Sequence, residues 1–351
     1  MTWVTALARP DIVALEPYPH AAWEPGLARL HANELPWRTP GDDSQQGLNR
    51  YPEPQARALI ERLGALYRSP PETLLVTRGS DEAIDLLTRA FCRAGEDAIL
   101  ICPPTFGMYA AAARIQGARV VGVPLMADRG FALDADAVLR ACTSDVRLVF
   151  LCSPNNPTGN LLDVTVILEV ADALAGRALV VLDQAYIEFA SCTPADALVR
   201  QAPNLAILRT LSKAHGLAGA RIGALIADPD VIALLRKVIA PYAITQQTLE
   251  LVLKLLRPPH LAEMRRRVEE ILAEREQLRE ALAHLPQSIR VLPSDANFFL
   301  VRLKDPALAL ERARSAGLLV RDVRGFPGLS DALRVTVGTS EQNERLLGAW
   351  R

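Results

Sequence analysis

Thr210-Leu211-Ser212-Lys213-Ala214-His215-Gly216-Leu217-Ala218-Gly219-Ala220-Arg221 sets one lysine among hydroxyl-bearing residues and glycines, then returns a guanidinium eight positions later. A lysine amine condenses with an aldehyde, Thr210 and Ser212 donate hydrogen bonds to a phosphate, and Arg221 pairs bidentately with the same group. The stretch therefore suits a phosphorylated aldehyde. Apolar runs flank it at 205–208 and 220–227, and further runs at 98–102, 119–123, 148–152 and 178–182 alternate with helix-like segments from about residue 80 to residue 226. Such alternation predicts an α/β domain around a largely parallel, buried sheet.

Beyond residue 228 the pattern turns to long helices. In 261–285, Leu261, Met264, Val268, Ile271, Leu272, Leu278 and Leu282 mark one apolar side among many charges. Strand-like segments at 296–303 and 332–337 then bracket a helix near 306–317, which predicts a smaller α+β unit. At the other end, Pro36, Pro40, Gly41, Asp42 and Asp43 mark residues 1–50 as an irregular arm able to lie across a partner. The expected division is an arm or part of the small domain at 1–30, a large domain at 31–240 and a small domain at 241–351.

With 351 residues, half of them hydrophobic, the chain can bury a sizeable core. Its 39 basic and 40 acidic side chains nearly cancel, so composition points to a small-molecule ligand rather than to nucleic acid or a membrane surface. The five cysteines (Cys92, Cys102, Cys142, Cys152, Cys192) are odd in number, lack a Cys-x-x-Cys pair and mostly sit in apolar runs, which reads as reduced, buried and cytoplasmic. Arg9, Pro10 and Asp11 interrupt the apolar N-terminus, against a signal peptide or a membrane span. The five histidines are too scattered to form a metal site.

Polar residues gather where the apolar runs end. Gly79-Ser80-Asp81 opens an amphipathic helix continuing through Phe91, with Ser80 as the expected N-cap, and the free N–H groups of such a start favour a phosphate. Leu151-Cys152-Ser153-Pro154-Asn155-Asn156-Pro157-Thr158-Gly159 follows a strand, where an asparagine can donate to a phenolic oxygen. Asp183-Gln184-Ala185-Tyr186 follows another, and a carboxylate there can keep a pyridine nitrogen protonated. Phe106, after a third, can stack on a planar heterocycle. Each alone is most simply a cap, a turn or a core residue; together they form the parts of one cofactor site.

In this order the residues resemble fold-type I pyridoxal-phosphate-dependent aminotransferases of the class II subgroup, nearest to the histidinol-phosphate aminotransferases. The resemblance spans nearly the whole chain, from His31-Ala32-Asn33-Glu34 and Arg50-Tyr51-Pro52-Glu53-Pro54 to Ala296-Asn297-Phe298-Phe299 and Leu333-Arg334-Val335-Thr336-Val337-Gly338. It implies a large αβα domain with a mainly parallel sheet plus a smaller α+β domain, and pyridoxal 5'-phosphate as cofactor. It implies Lys213 as the cofactor-bearing lysine and proton shuttle, Asp183 as partner of the pyridine nitrogen, Asn156 and Tyr186 as donors to O3′, and Phe106 as the stacking ring. The phosphate would be held at Ser80 and Asp81, by Thr210, Ser212 and Arg221, and by Tyr51 from the second subunit of a homodimer. Arg334, with Asn33, Arg321 and Tyr18, would receive the substrate. The implied substrates are histidinol phosphate with glutamate or 2-oxoglutarate.

Two departures stand out: His215 replaces an aromatic residue of many relatives, and the segment between Trp37 and Asn49 is long and polar. An aromatic or broad-specificity aminotransferase and a threonine-phosphate decarboxylase share the cofactor residues and remain alternatives. A non-catalytic regulator that binds the same cofactor is the reading from a different class; the near-neutral charge and the lack of room for a DNA-binding domain before Asn33 speak against it.

Overall fold

In the computed structural model, which describes residues 2–21, 24, 26–190 and 195–351, seven short apolar runs form one sheet. They are β1 (Leu74–Thr77), β2 (Ala98–Ile101), β3 (Arg119–Gly122), β4 (Val146–Cys152), β5 (Leu179–Asp183), β6 (Leu205–Thr210) and β7 (Gly223–Ile226), in the order β1-β7-β6-β5-β4-β2-β3. From β3 to β6 neighbours run parallel, and only β7 is reversed, pairing antiparallel with both β6 and β1. Helices cover both faces, so β5 and β6 are buried at every residue and read as continuous apolar runs.

The two faces follow the period of two along each strand. Val180 and Leu182 join a core with Leu63 and Ile167, whereas Leu179 and Val181 join Ile84, Leu87 and Phe91 on the opposite side. A second, antiparallel sheet contains β8 (Ser288–Val291), β9 (Phe298–Leu303), β10 (Arg321–Asp322) and β11 (Ala332–Thr336), in the order β10-β11-β9-β8. Phe299, Val301, Leu333 and Val335 pack there against Leu278, Leu282, Leu346 and Trp350 of the helices Pro258–Ala283 and Ser340–Trp350. The last helix starts at a reciprocal capping box between Thr339 and Gln342.

Several expectations need correction. The arm is not wholly irregular: Trp3–Leu7 and Pro10–Ala14 are short helices, and Val4, Leu7 and Ala8 are buried against the Ile84–Leu87–Phe91 side of the core. Ser80 is not the N-cap of its helix. Gly79 takes that place with φ +75, a conformation that favours glycine, and Ser80 becomes the first helical residue. β7 is shorter than the run at 220–227 because Ala218–Ala220 forms a 3₁₀ turn and Arg221 adopts φ +54. Cys92, Cys102, Cys142 and Cys152 are free and buried, while Cys192 lies outside the described residues. Among the described residues no helix is long and apolar enough to cross a membrane.

Candidate active site

β4, β5 and β6 end side by side, and their C-terminal turns enclose a cavity that is partly open to solvent. β6 delivers Thr210, the lysine turn follows, and β7 brings the chain back so that Gly223 pairs with Thr210. The turn is closed by Leu211 N–H donating to Ile222 O at 3.0 Å. Thr210 donates its hydroxyl to Ser212 Oγ at 3.0 Å, and Arg221 donates Nη1 to Ser212 Oγ at 3.4 Å and Nη2 to Asp81 Oδ2 at 3.1 Å. Two hydroxyls, a guanidinium and the start of the helix Ser80–Phe91 thus face one point, a suitable seat for a dianion.

Glycine makes this convergence possible. A Cβ on Gly223 would lie 2.5 Å from the carbonyl carbon of Gly79 and 2.7 Å from Ser80 N. Strand and helix start touch because Gly223 carries no side chain, while a Cβ on Gly79 would meet the Arg221 guanidinium at 2.8 Å.

Asp183 ends β5 only 3% exposed, accepting hydrogen bonds from Tyr109 Oη at 2.7 Å and Ala185 N at 3.0 Å. Burial pushes its carboxyl up to about 6 although both hydrogen bonds favour the ionised form. A buried carboxylate in that state calls for a cation beside it. Lys213 faces the same cavity, its Nζ 5.4 Å from the centre of the Tyr186 ring. Burial and then repulsion from Arg334 draw its ammonium below the ordinary lysine range, with Asp183 acting in the opposite sense.

In the β4 turn the two asparagines divide. Asn155 stitches the turn, donating to Pro104 O at 2.8 Å and Thr158 Oγ1 at 2.6 Å, while Asn156 lines the cavity and accepts from Arg334 Nη1. Arg334 stands on β11 with its guanidinium 5.0 Å above the Phe298 ring, and its buried Nε has no partner among the described residues. Phe106 lines the cavity edge-on to Tyr109, with ring centres 5.6 Å apart.

The structure therefore gathers Ser80, Asp81, Phe106, Asn156, Asp183, Tyr186, Thr210, Ser212, Lys213 and Arg221 around one space, with Arg334 joined to it through Asn156. It does not bring the other candidates there within one chain. Tyr51 and Asn33 line a separate pocket beside Tyr242, Tyr18 is exposed near Pro54 and Lys237, and Arg321 is exposed on β10 in register with Arg334. Tyr109 was missed: it is fully buried on the helix Met108–Gln116, and its sequence context reads as core. His215 points away from the cavity, with both ring nitrogens buried and unpartnered among the described residues. The hydroxyl and guanidinium donors, the buried carboxylate and the lysine together fit a flat phosphorylated pyridine aldehyde.

The family model for aminotransferases of class I and II matches residues 30–349. The chain is 48% identical over 350 residues to a histidinol-phosphate aminotransferase of Stenotrophomonas maltophilia (strain R551-3), covering 99% of this chain and 96% of that relative. Among solved structures, the histidinol-phosphate aminotransferase from Sinorhizobium meliloti in complex with pyridoxal-5'-phosphate superposes with a TM-score of 0.76 at 24% identity, over 86% of this chain and 82% of that one. The L-threonine-O-3-phosphate decarboxylase from Porphyromonas gingivalis superposes with a TM-score of 0.71 at 28% identity, over 86% of this chain and 90% of that one.

Proposed function

The chain belongs to the aminotransferases of class I and II, and from that premise we propose that it moves the amino group of L-histidinol phosphate to 2-oxoglutarate in histidine biosynthesis, giving imidazole acetol phosphate and glutamate. The observation that carries the chemistry is the meeting of Lys213, Asp183 and the Thr210–Ser212–Arg221 anion seat in one cavity. The near full-length identity to the Stenotrophomonas enzyme supports the substrate.

Pyridoxal 5'-phosphate, when bound, supplies an aldehyde that captures amines and a protonated ring that takes up electrons. Thr210, Ser212, Arg221 and the amides at Ser80 and Asp81 hold its phosphate. Asp183 keeps the proton on the ring nitrogen, and Tyr109 holds Asp183 in place. Phe106 covers one ring face, and Asn156 and Tyr186 donate to the ring's 3′ oxygen. Lys213 Nζ, its basicity lowered by burial, takes the proton from the substrate carbon that bears nitrogen and redelivers it. Because amine donor and keto acceptor use the same cavity in turn, the kinetics are ping-pong.

Arg334 receives the substrate phosphate, which its unpartnered Nε supports; Asn33, Arg321 and Tyr18 are assigned to the same substrate from the family resemblance alone. Tyr51 extends to the cofactor phosphate of a second protomer, so the working form is a homodimer. Its placement away from its own cavity supports this reading. Four free, buried cysteines support a reducing, cytoplasmic setting.

Arg334→Ala tests the substrate assignment. It should cost roughly 2–4 kcal/mol in kcat/KM for histidinol phosphate, and little for unphosphorylated L-histidinol. Equal losses for both amines would remove the role, and release of carbon dioxide from L-threonine O-3-phosphate by the unaltered protein, with no turnover of histidinol phosphate, would favour the decarboxylase reading.

A further inference from the structure

Glu34 has no part in the cavity, yet its side chain is only 3% exposed and lies between two guanidiniums. Arg29 Nη2 stands 2.8 Å from its Oε1, and Arg50 Nη1 stands 3.0 Å from its Oε2. Glu34 Oε1 also accepts the backbone N–H of Tyr51 at 2.7 Å, while Arg29 Nη1 donates to Tyr51 O at 3.0 Å. Both backbone polar groups of Tyr51 are therefore held by one ionic cluster. The Tyr51 ring projects beyond it, 48% exposed and stacked on Tyr242 with ring centres 4.5 Å apart.

No helix or strand occurs among the described residues from 15 to 55, so no backbone ladder sets the shape of this segment. A carboxylate taken out of water costs several kcal/mol unless it is paired and hydrogen-bonded. Here pairing and hydrogen bonds converge on one residue, Tyr51. We propose that Glu34 is a positioning residue that fixes the Tyr51 backbone, so that the phenol is presented ready-made to the cofactor phosphate of the second protomer. The inference rests on the reading of Tyr51 given above. Preorganisation of this kind lowers the ordering cost of binding without adding a contact.

The test titrates cofactor-free protein with pyridoxal phosphate and follows the visible band that needs Lys213. Tyr51→Phe and Glu34→Ala should each weaken affinity by between about tenfold and a hundredfold, and the double variant should be no weaker than Tyr51→Phe alone. Wild-type affinity in Tyr51→Phe would overturn the Tyr51 reading. Weak binding in Tyr51→Phe with wild-type affinity in Glu34→Ala, or additive losses in the double variant, would overturn the role of Glu34. Should Glu34→Ala fail to fold, Glu34→Gln is read by the same comparisons.

Hybrid dimers separate positioning across the interface from local damage. A protomer carrying Glu34→Ala is paired with one carrying Lys213→Ala, so the sole functional lysine faces an intact Tyr51 arm. Wild-type affinity in the hybrid supports the proposal; affinity as weak as in the Glu34→Ala homodimer contradicts it.

Discussion

At Asp183 a carboxylate is buried at the end of a strand, and burial pushes it from an ordinary 3.8 up to about 6 although two hydrogen bonds and the charge of Lys213 pull the other way. In cofactor-free protein the folded state then binds the proton more tightly than the unfolded chain. Stability accordingly falls as pH rises from about 4 to about 6, with a full cost of about 3 kcal/mol above that window and none below it. Asp183→Asn should therefore be the more stable protein at pH 7.5 when free of cofactor, an advantage that vanishes near pH 4, while its turnover collapses. Thermal melts at both pH values check this, and an advantage independent of pH would contradict it. Lys213, Asp183, Asn156 and Thr210 were legible in the sequence because each is polar at or just beyond the end of an apolar run, and Arg221 because it returns a cation eight positions after the lysine. Tyr109 was not, because an aromatic inside an apolar helix face looks the same whether it packs or holds a carboxylate.

The central strands were legible as elements because burial on both faces removes polar residues from them. The helices Trp3–Leu7 and Pro10–Ala14, five residues each, were not, since so few residues complete little of the helical period, and β8 was not because its Ser-Ile-Arg-Val is only partly buried. The helix start at Ser80 lines the cavity, but its cap is Gly79 rather than Ser80, because the contact that demands glycine at 79 comes from Arg221, far along the chain. The same contact region yields a prediction. Gly223→Ala puts a methyl against the backbone of Gly79 and Ser80, and should cost roughly 1–3 kcal/mol of stability and weaken cofactor binding. Gly219→Ala, whose Cβ meets nothing within 4 Å, should change neither. Melting curves and cofactor titration of both variants check this, and an unperturbed Gly223→Ala would contradict the close approach of β7 to the helix start.

Over the whole molecule, the turn after β4 joins the two sheets. Gly159 O accepts Asp295 N–H at 2.7 Å, Leu161 N–H donates to Asp295 Oδ2 at 3.3 Å, and Arg334 on β11 reaches Asn156. The cavity thus has Arg221 in its own lining and Arg334 joined to it through Asn156 from the side of the second sheet. Two such cations suit a phosphorylated amine meeting a phosphorylated aldehyde. The order of the motifs along the chain made the architecture legible, whereas the placement of Tyr51, Asn33 and Tyr18 outside the cavity was not, since the segment that carries them forms neither helix nor strand among the described residues and so has no periodicity from which its path can be read. The most direct test is the absorption spectrum of the protein loaded with pyridoxal phosphate, recorded as L-histidinol phosphate is added without any 2-oxo acid. The account predicts a visible band that gives way within one turnover to the near-ultraviolet absorbance of the amine form of the cofactor, and returns on adding 2-oxoglutarate. A protein that forms no visible band, or one whose band ignores histidinol phosphate and answers to aromatic amino acids instead, would contradict it.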